Sequence, residues 1–469
     1  MSLDQAAVAL QLLFLSYFAA VTCGYMLLFA LALIEVRRQL QAQVLEDLPR
    51  AYSGLEPPVS ILVPAYNEEA TIATSVRSML QLDYPEFEVI VVNDGSRDGT
   101  MEALRAAFAL VPYPEAYWRR LEVKPVRGIY RSTRFPNLRV IDKENGGKAD
   151  ALNAGINASR CPLFCGVDAD SILERASLRR VVGPFLEDPA VIASGGTVRV
   201  ANGCTVSGGF LESVALPARL LPLLQIVEYL RAFQFGRMGW SPLNAVLIIS
   251  GAFGLFRKDT VVAAGGYRHD TVGEDMELVV RLHRKYRAAG RKYRIVFVPD
   301  PICWTEAPES LRVLRSQRTR WQRGLSESLT LNLGLAFSRR GGTPGWLAFP
   351  FMALFEWLGP VIEVTGYGLM VAGLAAGLVS ASALGAFLLL AIGLGIMLSV
   401  CALLLEELSF HIYLRPRDLA VLAAAAVLEN FGYRQLIALW RLEGLWKWAI
   451  GSKARWGEMT RSATWQRRP

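Results

Sequence analysis

Asp168 and Asp170 stand two residues apart at the end of an apolar run, Leu163-Phe164-Cys165-Gly166-Val167. Along a strand, residues two apart face the same side. At a strand end, both carboxylates therefore aim at one small volume. Like charges so close repel, and a cation, a hydrogen-bond network or solvent must offset them. Hard divalent cations take carboxylate oxygens and complete their shell with water and phosphate. The pair thus suits an ion that neutralises a leaving diphosphate. A solvated acidic pair in a loop is the plainer alternative.

Four more clusters could do chemistry. Asp94 follows Val89-Ile90-Val91-Val92-Asn93 and precedes Gly95-Ser96. Its carboxylate can accept hydrogen bonds from a base or ribose, or simply cap a turn. Asn145-Gly146-Gly147-Lys148 opens a helical-looking stretch. Its glycines let backbone approach an anion, and the lysine adds a charge at the helix start. The G-x-x-x-x-G-K-[ST] pattern of a P-loop is absent. Gly273-Glu274-Asp275 begins an amphipathic helix. Its acids serve either as caps and dipole partners or as a base that takes the proton of an attacking sugar hydroxyl. Gln317-Arg318-Thr319-Arg320-Trp321 offers a ring for sugar faces and guanidinium groups for phosphate. With Arg312, Arg315 and Arg323 it also reads as a basic helix lying on a membrane. Each cluster is common alone. Their order in one chain is the stronger signal.

The elements that must position these residues follow from the hydrophobic pattern. Val59–Pro64, Glu88–Val92, Leu138–Ile141 and Leu163–Val167 read as buried strands. Glu68–Leu80 reads as a helix, and the basic stretch Arg119–Arg134 as a loop. Continuous apolar strands alternating with helices predict a parallel sheet covered on both faces. Ligands of such sheets bind beyond the carboxyl ends of the strands, where Asn67, Asp94, Asp168 and Asp170 fall.

Composition sets the wider frame. Of 469 residues, 52% are hydrophobic and 20% charged, with a net charge of +8. That is too apolar for an ordinary soluble enzyme and too charged for a pure membrane bundle. No basic stretch is interleaved with aromatics on a recognisable nucleic-acid module, which argues against a nucleic-acid partner. The six cysteines form no C-x-x-C pair and read as buried reduced thiols.

Residues 6–35 are long enough to cross ~30 Å of hydrocarbon and are followed by Arg37 and Arg38. This order predicts an uncleaved anchor with its basic end inside. Trp346–Ala375 and Ala383–Leu405 are also long enough to span. Leu419–Leu439 carries Glu429 and Arg434, and reads as a span, a re-entrant segment or a surface helix. The expected division is a transmembrane anchor at 1–40, a cytoplasmic catalytic domain at 57–340, transmembrane or interfacial helices at 341–450, and a basic cytoplasmic tail at 451–469.

Val63-Pro64-Ala65-Tyr66-Asn67-Glu68, Asn93-Asp94-Gly95-Ser96, Asp168-Ala169-Asp170, Gly273-Glu274-Asp275 and Gln317-Arg318-Thr319-Arg320-Trp321 resemble the ordered motifs of membrane-embedded, family 2 inverting glycosyltransferases. That family includes bacterial cellulose, chitin, hyaluronan and poly-β-1,6-N-acetylglucosamine synthases. The resemblance covers roughly residues 57–330 by motif and the flanking spans by layout.

It implies an α/β GT-A domain joined to transmembrane helices in a bacterial plasma membrane. It also implies a UDP-sugar donor, Mg²⁺ or Mn²⁺, and a growing glycan or lipid as acceptor, with membrane lipids and an accessory export subunit as partners. By motif, Tyr66 and Asp94 hold uracil within the stretch that contains Asn67, and Lys148 holds diphosphate. Asp168 supports the nucleotide and Asp170 ligates the metal. Asp275 is the base, assisted by Glu274, and Gln317, Arg320 and Trp321 line the acceptor and diphosphate end. Ser250–Gly254 resembles the strip beside the acceptor sugar. One departure stands out: the family's Thr-Glu-Asp is Gly-Glu-Asp here, so a threonine contact is missing.

Three functions compete: a processive synthase of a β-linked polysaccharide, a transferase adding one sugar to a lipid, and a transporter or receptor with a nucleotide-binding module. Trp321 favours the first. The third predicts no donor turnover, and few transporters have so few spans around so large a soluble part.

Overall fold

The computed structural model describes residues 3–46 and 54–452. Twelve strands are described: β1 Val59–Ala65, β2 Phe87–Asn93, β3 Leu110–Pro112, β4 Val126–Ser132, β5 Leu138–Lys143, β6 Leu163–Val167, β7 Ile172–Leu173, β8 Val191–Val200, β9 Thr205–Ser207, β10 Phe210–Ser213, β11 Phe253–Arg257 and β12 Arg294–Thr305. Ten of them form one sheet in the order β3-β4-β5-β2-β1-β6-β11-β8-β12-β7. Its centre, β5-β2-β1-β6, is parallel. Those strands are buried on both faces, which is why they read as unbroken apolar runs.

The sheet is mixed, a correction to the parallel sheet expected from the sequence. β11 runs antiparallel to both β6 and β8, and β4 runs antiparallel to β5 and β3. β4 itself lies inside the stretch expected to be a loop. Its Val-Arg-Gly-Ile-Tyr-Arg-Ser sequence puts charges on a strand near the sheet edge, where they blunt edge pairing and mask the strand pattern. The helix expected at 68–80 begins at Ile72. The residues before it make a turn, closed by Ile72 N donating to Glu68 O at 3.0 Å.

Topology brings the chemistry to one edge. β1 pairs with β2 from Val59↔Phe87 to Ala65↔Asn93, and with β6 from Val59↔Leu163. The carboxyl ends of all three therefore emerge together, and the chain direction switches sides between β1 and β6, which opens a crevice. β11 pairs Phe253 with Val167. Its antiparallel course carries Ser250–Ala252 alongside Asp168. The helix Lys148–Ala158 packs across β1 and starts at Gly147, whose φ of +91° suits glycine.

Helices cover the rest. Gln11–Arg37, within the helix Leu3–Glu46, and Ala381–Ser409 are each long and apolar enough to cross a membrane. The bent pair Pro344–Trp357 and Gly359–Ala375 passes the same test when taken together. The ambiguous stretch 419–439 is not one helix. Pro416–Leu428 and Tyr433–Ala449 are separated by a break at Glu429–Gly432, with Gly432 at φ +93°. Glu429 is fully buried there and pairs with Arg231, while Arg434 donates to Asn430 Oδ1 at 3.0 Å. The charges that made this stretch ambiguous thus sit at or just beyond the break, Glu429 paired with an opposite charge and Arg434 hydrogen-bonded to an amide. Most of the basic tail, residues 453–469, lies outside the described residues.

Candidate active site

One cavity of about 2040 Å³ runs from the sheet edge into the helices. It is several times larger than a typical small-molecule site, so a nucleotide-sugar and an acceptor fit together. The residues given catalytic, substrate or metal roles by motif line it: Tyr66, Asn67, Asp94 and Lys148 from the segments after β1, β2 and β5; Asp168 and Asp170 from the end of β6; Glu274 and Asp275 from the start of the helix Glu274–Ala288; and Gln317, Arg320 and Trp321 from the helix Leu311–Leu331.

The two carboxylates after β6 are offset differently. Asp168 Oδ1 lies 2.5 Å from Lys148 Nζ, whereas buried Asp170 accepts from Thr305 Oγ1, at the end of β12, at 3.2 Å. Lys148 also donates to Gly251 O at 3.2 Å and lies 3.8 Å from Glu274. Burial alone would lower the Lys148 ammonium, but Asp168, Glu274 and Asp275 together hold it above its usual value. Gly251 N in turn donates to Asp275 Oδ2 at 2.9 Å. A chain of contacts thus runs Asp168–Lys148–Gly251–Asp275 and joins β6 to the 274–288 helix. Glu274 is pushed up to about 7, first by burial and also by the Asp275 charge, against the pull of Lys148.

Asp94 is buried, and its contacts are to protein. Lys143 Nζ reaches its Oδ1 at 2.5 Å, Gly146 N at 3.0 Å, and Gly147 N reaches Oδ2 at 2.7 Å. It therefore shapes the 145–147 loop ahead of Lys148. Lys143 is fully buried and also meets Asp150 at 2.6 Å. No sequence signal singled it out, because a lysine ending a strand ordinarily reads as surface. Asn67 adopts φ +56°, its Oδ1 accepts from Arg97 N at 2.8 Å, and its backbone N–H donates to Ser96 Oγ at 3.0 Å. It staples the β1 loop to the β2 loop. Tyr66 is exposed to the cavity.

Across the cavity, Gln317 Oε1 accepts from Arg318 at 2.7 Å. Arg318 pairs with Glu228 at 2.8 Å and lies 4.3 Å from the Trp321 ring centre. The arginines expected to lie along a membrane are therefore divided. Arg318 is buried, while Arg315 and Arg323 reach Glu443 and Glu327. Gly273 takes the place of the family's threonine for a packing reason: a Cβ there would sit 2.8 Å from Gly324 Cα on the crossing helix.

An implied divalent ion is consistent with the oxygen-only donors Asp168 and Asp170, with Asp168 partly open to the cavity. Among the described residues no group of three or more His, Cys, Asp or Glu could hold a metal. Substrate phosphate and water would have to supply the remaining ligands, as small hard cations commonly arrange.

The fold agrees with the comparisons to known proteins. The chain matches the profile of Glycosyl transferase family 2 over residues 60–260 and that of Glycosyl transferase family group 2 over residues 165–404, just over half its length. It belongs to the family 2 glycosyltransferases. It is 30% identical over 272 residues to a poly-beta-1,6-N-acetyl-D-glucosamine synthase of Staphylococcus aureus, covering 58% of this chain and 55% of that protein. A synthase of the same name from Staphylococcus epidermidis is 27% identical over 305 residues, covering 65% and 63%. The matched region thus spans little more than half the length of these curated relatives. Among solved structures, a mannosyltransferase from Pyrobaculum calidifontis in complex with GDP-Man and Mn²⁺ aligns with a TM-score of 0.54 and 18% identity, covering 95% of this chain and 100% of that one. That likeness shows a GT-A-like mixed α/β fold.

Proposed function

We propose that this glycosyltransferase extends a β-linked polysaccharide at a membrane by single-displacement transfer from a UDP-sugar, with UDP-N-acetylglucosamine the first donor to test. The observation that carries the reading is the contact chain Asp168–Lys148–Gly251–Asp275 inside one cavity. It sets a cation for diphosphate beside a carboxylate for an acceptor hydroxyl. Similarity to the staphylococcal synthases supports the polymer product.

Asp275, oriented by Gly251 N and by its own neighbour Met276 N at 2.8 Å, takes the proton of the attacking hydroxyl. The hydroxyl oxygen bonds to the anomeric carbon as the bond to diphosphate oxygen breaks, which inverts that centre. Lys148 takes up charge on the departing diphosphate. Asp168 and Asp170 would hold a divalent ion, which when bound would add to the neutralisation of the leaving diphosphate. Trp321, exposed in the cavity, offers a face to the acceptor sugar.

Purified full-length protein, a panel of UDP-sugars and Mg²⁺ or Mn²⁺ test this through released UDP and product length. One donor is expected to give a ladder of products. A single-sugar lipid product would favour the lipid-acceptor reading, and no turnover with any donor would overturn transfer from UDP-sugars. Asp275→Asn is expected to lower transfer about 10²- to 10⁴-fold while leaving UDP affinity within a few-fold.

A further inference from the structure

The stretch Leu220–Trp240 was not among the motifs, yet it forms a wall of the same cavity. It runs as a helix over Leu220–Leu230 and widens into a π-helical segment over Arg231–Arg237, a distortion frequent at functional sites. Tyr229, Phe233 and Arg237, at i, i+4 and i+8, all line the cavity. The Tyr229 ring lies 6.5 Å from that of Trp321 and 6.0 Å from that of Phe233, and the Arg237 guanidinium carbon lies 3.8 Å from the Phe233 ring centre.

Arg237 Nη1 is buried and meets no hydrogen-bond acceptor among the described residues. Burial pushes the guanidinium down to about 10, against the opposing charge of Asp275 and then Tyr229. A buried donor on a charged group is costly when unmatched, so a bound molecule is the natural source of its acceptor.

The surroundings indicate which molecule. The π-helical segment packs on the helices Leu3–Glu46 and Ala381–Ser409, whereas Asp94 and Lys148 belong to loops at the sheet edge. Arg237 therefore enters the cavity from its helical wall, near enough to Asp275 to feel the charge of the group read as the base for the acceptor hydroxyl. Its neighbours are aromatic faces, which suit sugar rings.

We propose that Arg237 binds the acceptor, donating a hydrogen bond to an uncharged oxygen of the saccharide, and that Tyr229, Phe233 and Trp321 complete this acceptor subsite. The inference rests on the glycosyl-transfer reading above.

Its test compares wild type, Arg237→Met and Arg237→Lys as full-length protein. Three quantities are measured: affinity for a β-linked N-acetylglucosamine tetrasaccharide, affinity for UDP, and melting temperature. Arg237→Met is expected to weaken tetrasaccharide binding at least tenfold and to change UDP binding less than twofold. It should melt within a few degrees of wild type, since Nη1 gives up no hydrogen bond within the described residues. Arg237→Lys is expected to recover part of the saccharide affinity.

Unchanged saccharide binding, loss of tetrasaccharide binding only together with UDP binding, or a drop in melting temperature that tracks the loss would each overturn the assignment. The binding comparison needs no turnover. A wild type that binds the tetrasaccharide but releases no UDP from any donor therefore counts against the transfer reading, not against Arg237.

Discussion

At the scale of single residues, burial and neighbouring charges set how the groups of the site titrate. Glu274 illustrates the consequence. Its carboxyl is pushed up to about 7 mainly by burial, so between pH 4.5 and 7 the folded protein keeps a proton that the unfolded chain has released. Stability then falls as pH rises through that window. Glu274→Gln removes this dependence. The variant is expected to melt above wild type at pH 8, with the gap closing toward pH 4.5, as read by thermal unfolding across a pH series.

Asp94, Asp168, Asp170, Asp275 and Trp321 were legible in the sequence because each sits in a short pattern of unusual chemistry. Arg237 and Lys143 were not. One follows a stretch of mixed polarity, the other is the last residue of a strand, and only tertiary contacts reveal that Lys143 is buried beside the site and that Arg237 lines the cavity.

At the scale of elements, the decisive feature is how the helices Glu274–Ala288 and Leu311–Leu331 cross. Gly273 and Gly324 touch backbone to backbone, each leaving no room for a Cβ on the other. Restoring the family's residue with Gly273→Thr should therefore harm this chain. Overpacking of this kind typically costs about 1–3 kcal/mol, and the variant is expected to melt lower and to lose transfer activity as Asp275 shifts. Equal stability and activity would show that the crossing can yield.

The central strands were readable because burial on both faces leaves them uniformly apolar. β4 was hidden by its arginines, and the direction of β11 was hidden because strand polarity leaves no mark in a five-residue run. The break at Glu429–Gly432 was half visible. Its charges argued against a simple span, but only the pairing of Glu429 with Arg231 shows what they do.

At the scale of the whole molecule, the sheet and the long apolar helices are tied by charge as well as packing. Arg199, on β8, meets Glu406, on Ala381–Ser409, at 2.6 Å with both side chains buried. Removing one partner of such a pair typically costs about 3–5 kcal/mol, while replacing both with apolar residues is often neutral. Arg199→Met is thus expected to melt well below wild type, and Arg199→Met with Glu406→Leu to recover most of the loss.

The cavity has the same shared ownership. Tyr17 near one end of the chain and Arg441 near the other both face it. A ribosome making this protein therefore finishes the entire chemical apparatus, from Asp94 to Trp321, before the final wall exists. Until the closing helices settle into place, the chamber stands open on one side, and the newborn enzyme should remain idle.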